Sequence, residues 1–168
     1  YSMKKELPYS SSKDAIIGYT DSQIAKKETN DCVVRALASG FEMKYDDTHK
    51  FVGERFERKN RKGTFRFNSR MNKLGETKEV INGRTINILG EKGIIGYTMS
   101  YDVKVKGQTK KRKMTVGTFS KKYPKGTFIM SIRGHAFTIK DGVVIGNECD
   151  AKRLKAIVEQ VWEVVKSN

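Results

Sequence analysis

Cys32 and His135 are the residues of this 168-residue chain best suited to covalent chemistry. Cys32 heads an apolar run, Asn30-Asp31-Cys32-Val33-Val34-Arg35-Ala36-Leu37-Ala38, in which Val33, Val34, Leu37 and Ala38 recur at helical spacing. Asn30 or Asp31 is positioned to cap that helix and Gly40 to end it. A thiol at a helix N-terminus feels the partial positive charge of unpaired N–H groups, which favours thiolate. Such help matters, because a free cysteine with a pKa of about 8.5 is only a few per cent thiolate at pH 7. His135 opens a second run, Gly134-His135-Ala136-Phe137-Thr138-Ile139-Lys140-Asp141-Gly142-Val143-Val144-Ile145, with the pattern of a hairpin. An imidazole on a strand beside the helix would take the thiol proton, and a third side chain would orient the ring.

If Asp141-Gly142 makes a two-residue turn, Ala136 lies across from Asn147 and His135 across from Glu148. Asn147 is the candidate orienter. Glu148 shares a sheet face with His135 in that register, and a bulge at Gly146 would exchange the two. Asn30, just before the helix, is the candidate side-chain donor to an oxyanion, together with the Cys32 N–H. His49 reads as a solvated helix residue and Cys149 as incidental. Two Cys and two His without ligand spacing give no metal site and imply no cofactor.

The elements that must position these groups run helices first and strands later. Residues 1–28 read as an arm or lead-in, with Tyr1-Ser2 an added remnant ahead of Met3, and residues 29–168 as one domain. A second helix, capped by Asp46, Asp47 or Thr48, is expected to run to about Lys59. Extended segments are expected at 79–81 and 85–89 about Asn82-Gly83, at 94–105, at 114–119 and at 128–132. Leu154, Ile157, Val158, Val161 and Val165 fit a helix, although that segment is also rich in strand formers.

A composition of 37% hydrophobic and 32% charged residues excludes a disordered chain, and no stretch reaches the roughly 20 apolar residues of a membrane span. Two cysteines give no disulfide framework, which favours a reducing, cytoplasmic setting. The net charge of +15 draws polyanions. Two segments concentrate that charge. One spans 58–70, Arg58-Lys59-Asn60-Arg61-Lys62-Gly63-Thr64-Phe65-Arg66-Phe67-Asn68-Ser69-Arg70, where Phe65 and Phe67 would stack bases or else be core residues at strand alternation. The other spans 106–113, Lys106-Gly107-Gln108-Thr109-Lys110-Lys111-Arg112-Lys113. A nucleic acid or an acidic protein substrate would suit either segment.

The order Cys32, Gly134-His135, Asn147, with the helix preceding the hairpin, resembles the papain-like cysteine peptidases. It is most similar to their compact bacterial and phage members, such as bacteriocin-leader-processing peptidases, and to small phage proteins with a similar Asn-Asp-Cys-Val-Val-Arg-Ala-Leu run. The likeness covers about 29–40 and 123–147. It implies an α+β fold in which an N-terminal helix carrying the cysteine packs on an antiparallel sheet carrying the histidine. It also implies thiol attack on an amide, isopeptide or thioester of a protein or peptide, in a host cytoplasm if the chain is phage-encoded. By position Cys32 is then the nucleophile, His135 the base and Asn147 the orienter. In papain and many relatives a glutamine six residues before the nucleophile completes the oxyanion site, and that place holds Lys26. The alternative is a non-enzymatic basic binding protein on a peptidase-like scaffold.

Overall fold

A computed structural model describes residues 6–74, 77–81, 84–89, 92–97 and 100–166. It is a mixed α+β arrangement built on one sheet. Strands β1 (Tyr9–Ser11), β9 (Val143–Gly146), β8 (His135–Lys140), β7 (Thr127–Ile132) and β10 (Gln160–Lys166) lie side by side in that order. Strands β4 (Lys92–Tyr97), β3 (Arg84–Leu89) and β2 (Thr77–Ile81) extend the sheet beyond β10. All pairings are antiparallel except β1 with β9, so the sheet is mixed rather than purely antiparallel. A separate ribbon pairs β5 (Ser100–Val105) with β6 (Gln108–Lys113). No helix among the described residues is long and apolar enough to cross a membrane.

The Asp141-Gly142 turn forms as its residues dictate. Both have positive φ, 49° and 79°, the geometry that matches the twist of flanking strands in a two-residue hairpin. The expected register also holds, with Lys140 opposite Val143 and Thr138 opposite Ile145.

Helix α3 (Cys32–Phe41) buries Val33, Val34, Ala36, Leu37, Ala38, Gly40 and Phe41. Gly40 does not end it; Glu42, left-handed at φ 55°, does. Gly40 instead lets the helix approach the sheet closely. A Cβ there would lie 2.9 Å from Ile129 Cγ1 and 3.4 Å from Thr138 Oγ1. Beside it, Thr138 Oγ1 donates to the Ala36 carbonyl at 2.6 Å, tying α3 to β8.

Helix α4 (Tyr45–Arg55) starts one residue before Asp46, with Lys44 at the cap, and stops short of Lys59. Asp46 and Asp47 fall in its first turn, where carboxylates suit the helix dipole. Its buried Val52 joins Leu37, Tyr45, Phe56, Ile129 and Trp162 in the core on the α3 side. Met114, Val116, Phe119, Phe128, Met130, Phe137, Ile139 and Val161 form a second core cluster.

Three expectations are corrected. The last segment is β10, not a helix, because its apolar residues are divided between the two clusters: Trp162 joins the α3 side and Val161 the other. A strand buried on both faces reads as a continuous apolar run and so mimics helical spacing. Residues 114–119 are not a strand, since Thr115 caps α6 (Val116–Lys122) by accepting from the Thr118 N–H. Residues 6–28 are not a loose lead-in, for β1 joins the sheet and Ile16 is 4% exposed in the core. The segment also contains α1 (Ser12–Ala15) and α2 (Gln23–Lys26). Asn82 and Gly83 lie outside the described residues.

The close approach at Gly40 gives a direct test. Gly40→Val should destabilise the fold by roughly 1–3 kcal/mol through overpacking, despite removing a glycine from a helix. Urea unfolding of the two proteins measures it, and an equal midpoint would mean that α3 does not sit so near the sheet.

Candidate active site

The N-terminus of α3 and the start of β8 meet because the helix is fixed to the sheet at Gly40 and Thr138. Cys32, the first residue of α3, is half-buried and hydrogen-bonds the His135 ring and the Ala136 N–H. His135, the first residue of β8, follows Gly134, whose φ of 68° completes the tight turn from β7. Its ring stacks on Phe137 with centroids 5.9 Å apart.

The ring is oriented by Asp150. His135 Nε2 donates to Asp150 Oδ1 at 2.6 Å, which leaves Nδ1 for the thiol. The Asp150 side chain is 2% exposed, and Arg153 Nε lies 3.4 Å from the same oxygen. Asp150 arrives on α7 (Glu148–Ala151), a short helix that turns the chain away where β9 ends. Asn147 is therefore not the orienter. It caps α7, its Oδ1 accepting the Asp150 N–H at 3.0 Å, and so positions the residue that does the orienting. Glu148 pairs with Lys152 instead of the ring. Gly146 leaves room for the carboxylate, since a Cβ there would be 2.8 Å from Asp150 Oδ2. The signal for this was present in Asn147-Glu148-Cys149-Asp150, a cap residue followed three positions later by an acid.

Burial alone would push the Cys32 thiol up, but the hydrogen bonds from His135 and Ala136 and the imidazolium charge bring it below its ordinary value. Asp150 first, and the Cys32 sulfur second, hold His135 up at about 9. The same contacts thus favour thiolate and imidazolium together, and the pair titrates as a unit. A ring held above its unfolded value of about 6.5 contributes stability fully below that pH and loses it as pH rises through about 9.

Asn30 is not aimed at this centre. It sits at φ 54° and donates through Nδ2 to the Arg61 carbonyl at 3.1 Å. The Asp31 carboxylate does not cap α3 either; it accepts from Tyr45 Oη at 2.7 Å and pairs with Arg35. The first-turn N–H groups of α3 beside the thiol thus keep their donor capacity.

A cleft of about 460 Å³ opens over Cys32 and His135. Thr64, Arg66, Asn68 and Ser69 line one side, and Ser131 and Glu159 also face it. Thr64 Oγ1 and Asn68 Oδ1 are buried without hydrogen-bond partners. The sequence marks the 58–70 segment as a basic partner-binding stretch, and folding brings its Thr64, Arg66, Asn68 and Ser69 to the thiol, which no local pattern shows.

That segment is clamped by Glu28. Its carboxylate, 2% exposed, accepts from Arg58 Nη1 and Nη2 at 2.8 and 3.1 Å and from the Arg61 N–H at 2.7 Å, and it pairs with His49 Nε2. Burial opposes the charge, but these donors hold Glu28 down at about 2. Arg58 is accordingly buried rather than on a basic face, and His49 is a hydrogen-bond partner of Glu28 rather than a solvated residue. Phe67 opens α5 (Phe67–Asn72) and packs edge-on against Trp162 at 5.4 Å, whereas Phe65 is 71% exposed. The two are not at strand alternation, because Arg66 turns left-handed at φ 55° between them. In the other basic segment β6 is exposed along its whole length. Cys149 is exposed on α7, and the described residues hold no cluster of three or more potential metal ligands.

Iodoacetamide labelling followed by mass spectrometry across pH tests the centre. At pH 6 Cys32 should label faster than Cys149, with an inflection below the ordinary thiol value of about 8.5. Asp150→Asn should raise that inflection, slowing labelling at pH 6 by about tenfold for each unit of the rise. An inflection indifferent to Asp150 would make the contact a packing detail.

Comparison with protein-family models, with curated proteins and with solved structures finds no match to this chain, so its functional reading rests on the geometry of its own residues.

Proposed function

We propose that the protein is a papain-like thiol hydrolase or acyl transferase acting on an amide, isopeptide or thioester of a protein or peptide. The observation that carries this reading is the unbroken contact from Cys32 to His135 to the buried Asp150. A histidine serving only to fill space has no need of a buried carboxylate on one nitrogen and a thiol at the other.

In the proposed reaction the Cys32 thiolate attacks the carbonyl carbon, and the electron pair moves onto oxygen. The uncapped first-turn N–H groups of α3 would donate to that oxyanion, joined by the Asn68 amide of the cleft lining. The carbon–leaving-group bond breaks as His135 gives its proton to the departing nitrogen or sulfur, leaving an acyl-thioester on Cys32. Water, or an acceptor amine in transfer, then loses a proton to His135 and releases the acyl group. Asp150 keeps the ring aligned through both steps and stabilises it while charged.

Incubation with a mixed peptide digest, read by mass spectrometry, tests this. The intact protein should produce new termini or acyl-transfer products. Cys32→Ala should produce none, and His135→Ala should lower the rate by about a hundredfold or more. Products formed equally by Cys32→Ala, or by no protein at all, would overturn the proposal.

A further inference from the structure

The 59–66 segment, which lines the cleft through Gly63, Thr64 and Arg66 and a second hollow through Arg61, carries unpaired positive charge. Within 59–66, Lys59, Arg61, Lys62 and Arg66 are exposed and have no acidic partner among the described residues. The flanking cations differ, for Arg58 is taken by Glu28 and Arg70 by Glu57. Between the free cations stands Phe65, the most exposed large apolar side chain described, with the Arg66 guanidinium 5.2 Å above its ring. An exposed ring with a cation on its face is a ready platform for an apolar side chain beside a carboxylate.

The wall is also held still. Arg61 has its N–H on Glu28, while its carbonyl accepts from Asn30 Nδ2 at 3.1 Å and from Thr29 Oγ1 at 3.4 Å. Residues 28–30 lead directly into Cys32, so the platform and the thiol are fixed by one short stretch of chain. Binding there costs little ordering of the protein.

We propose that residues 59–66 are the docking wall for an acidic polypeptide segment bearing an apolar residue, which they deliver to Cys32. This deepens the thiol-hydrolase reading and rests on it. Arg66 takes a carboxylate in a bidentate grip, Lys59 and Lys62 steer the acidic flank, and Phe65 stacks the apolar side chain. A polypeptide fits better than a nucleic acid because the segment offers one exposed ring rather than the succession on which bases stack.

The experiment is protection of Cys32 from iodoacetamide at low salt by a random Glu/Tyr copolymer, a Lys/Tyr copolymer or oligothymidylate. The Glu/Tyr copolymer should slow Cys32 labelling about threefold or more while leaving Cys149 unaffected, and added salt should reverse it. The ratio of rates with and without copolymer should fall towards one in Lys62→Glu/Arg66→Glu and in Phe65→Ala. Equal protection by the Lys/Tyr copolymer, or a ratio unchanged in those variants, would overturn the wall. Protection by oligothymidylate as strong as by Glu/Tyr would overturn it in favour of a nucleic acid. If Cys32 labels no faster than an ordinary thiol, the hydrolase reading fails separately. Anisotropy of a fluorescent Glu/Tyr copolymer against the same variants still decides the wall, with equal binding counting against it.

Discussion

The separation between α3 and the sheet governs what the protein can do. Gly40 has no side chain to hold the helix off Ile129, and the Thr138 hydroxyl fixes the helix along its axis through the Ala36 carbonyl. Cys32 lies eight residues from Gly40, about 12 Å along a helix that rises 1.5 Å per residue. A helix standing further off, or slipped by one residue, would carry the thiol away from an imidazole that β8 holds in place. The site is thus a consequence of packing at a point remote from it. The core on the α3 side packs against Cys32, and the other meets the His135 ring through Phe137, so both sides of the sheet support the site.

Electrostatics then decides the state of the thiol. Burial works against a thiolate, and the site offsets it with a cation that is itself secured by a buried anion. Each charge is tolerable only with the next: thiolate needs imidazolium, and imidazolium needs Asp150. Asp150 in turn depends on the cap from Asn147 and on the absence of a side chain at Gly146. The Glu28 cluster repeats the logic for structure rather than reactivity. One buried carboxylate there gathers Arg58, Arg61 and His49 and so holds the cleft wall against the chain leading into Cys32.

The parts of this arrangement legible in the sequence were those written in local pattern. The α3 stripe and the Asp141-Gly142 turn follow from spacing and turn chemistry, whereas the pairing of Cys32 with His135 rests on residue type and on the resemblance in their order. Asp150 was missed because the hairpin pattern invites extension of β9 past Gly146, whereas Asn147 ends the strand by capping a helix. Asn30 was misassigned because closeness in sequence to Cys32 says nothing of where its amide points, and it is spent on Arg61. Gly40 read as a stop signal, although a glycine inside a helix serves equally for close approach. The last strand was misread for a related reason: burial on both faces erases the alternation that marks a strand. The contacts of Arg58 and His49 with Glu28 join residues about thirty and twenty apart in the chain, which no local pattern encodes.

The reactivity of Cys32 depends on Asp150 sustaining a cationic His135 beside the thiol. Following the His135 ring by NMR through a pH titration, with His49 as the other histidine of the chain, measures this without any substrate. The His135 inflection should fall near 9, well above the ordinary histidine value of 6.5. An inflection at or below that ordinary value would mean that Asp150 does not sustain an imidazolium beside the thiol at neutral pH, and the proposed catalytic pair would fall with it.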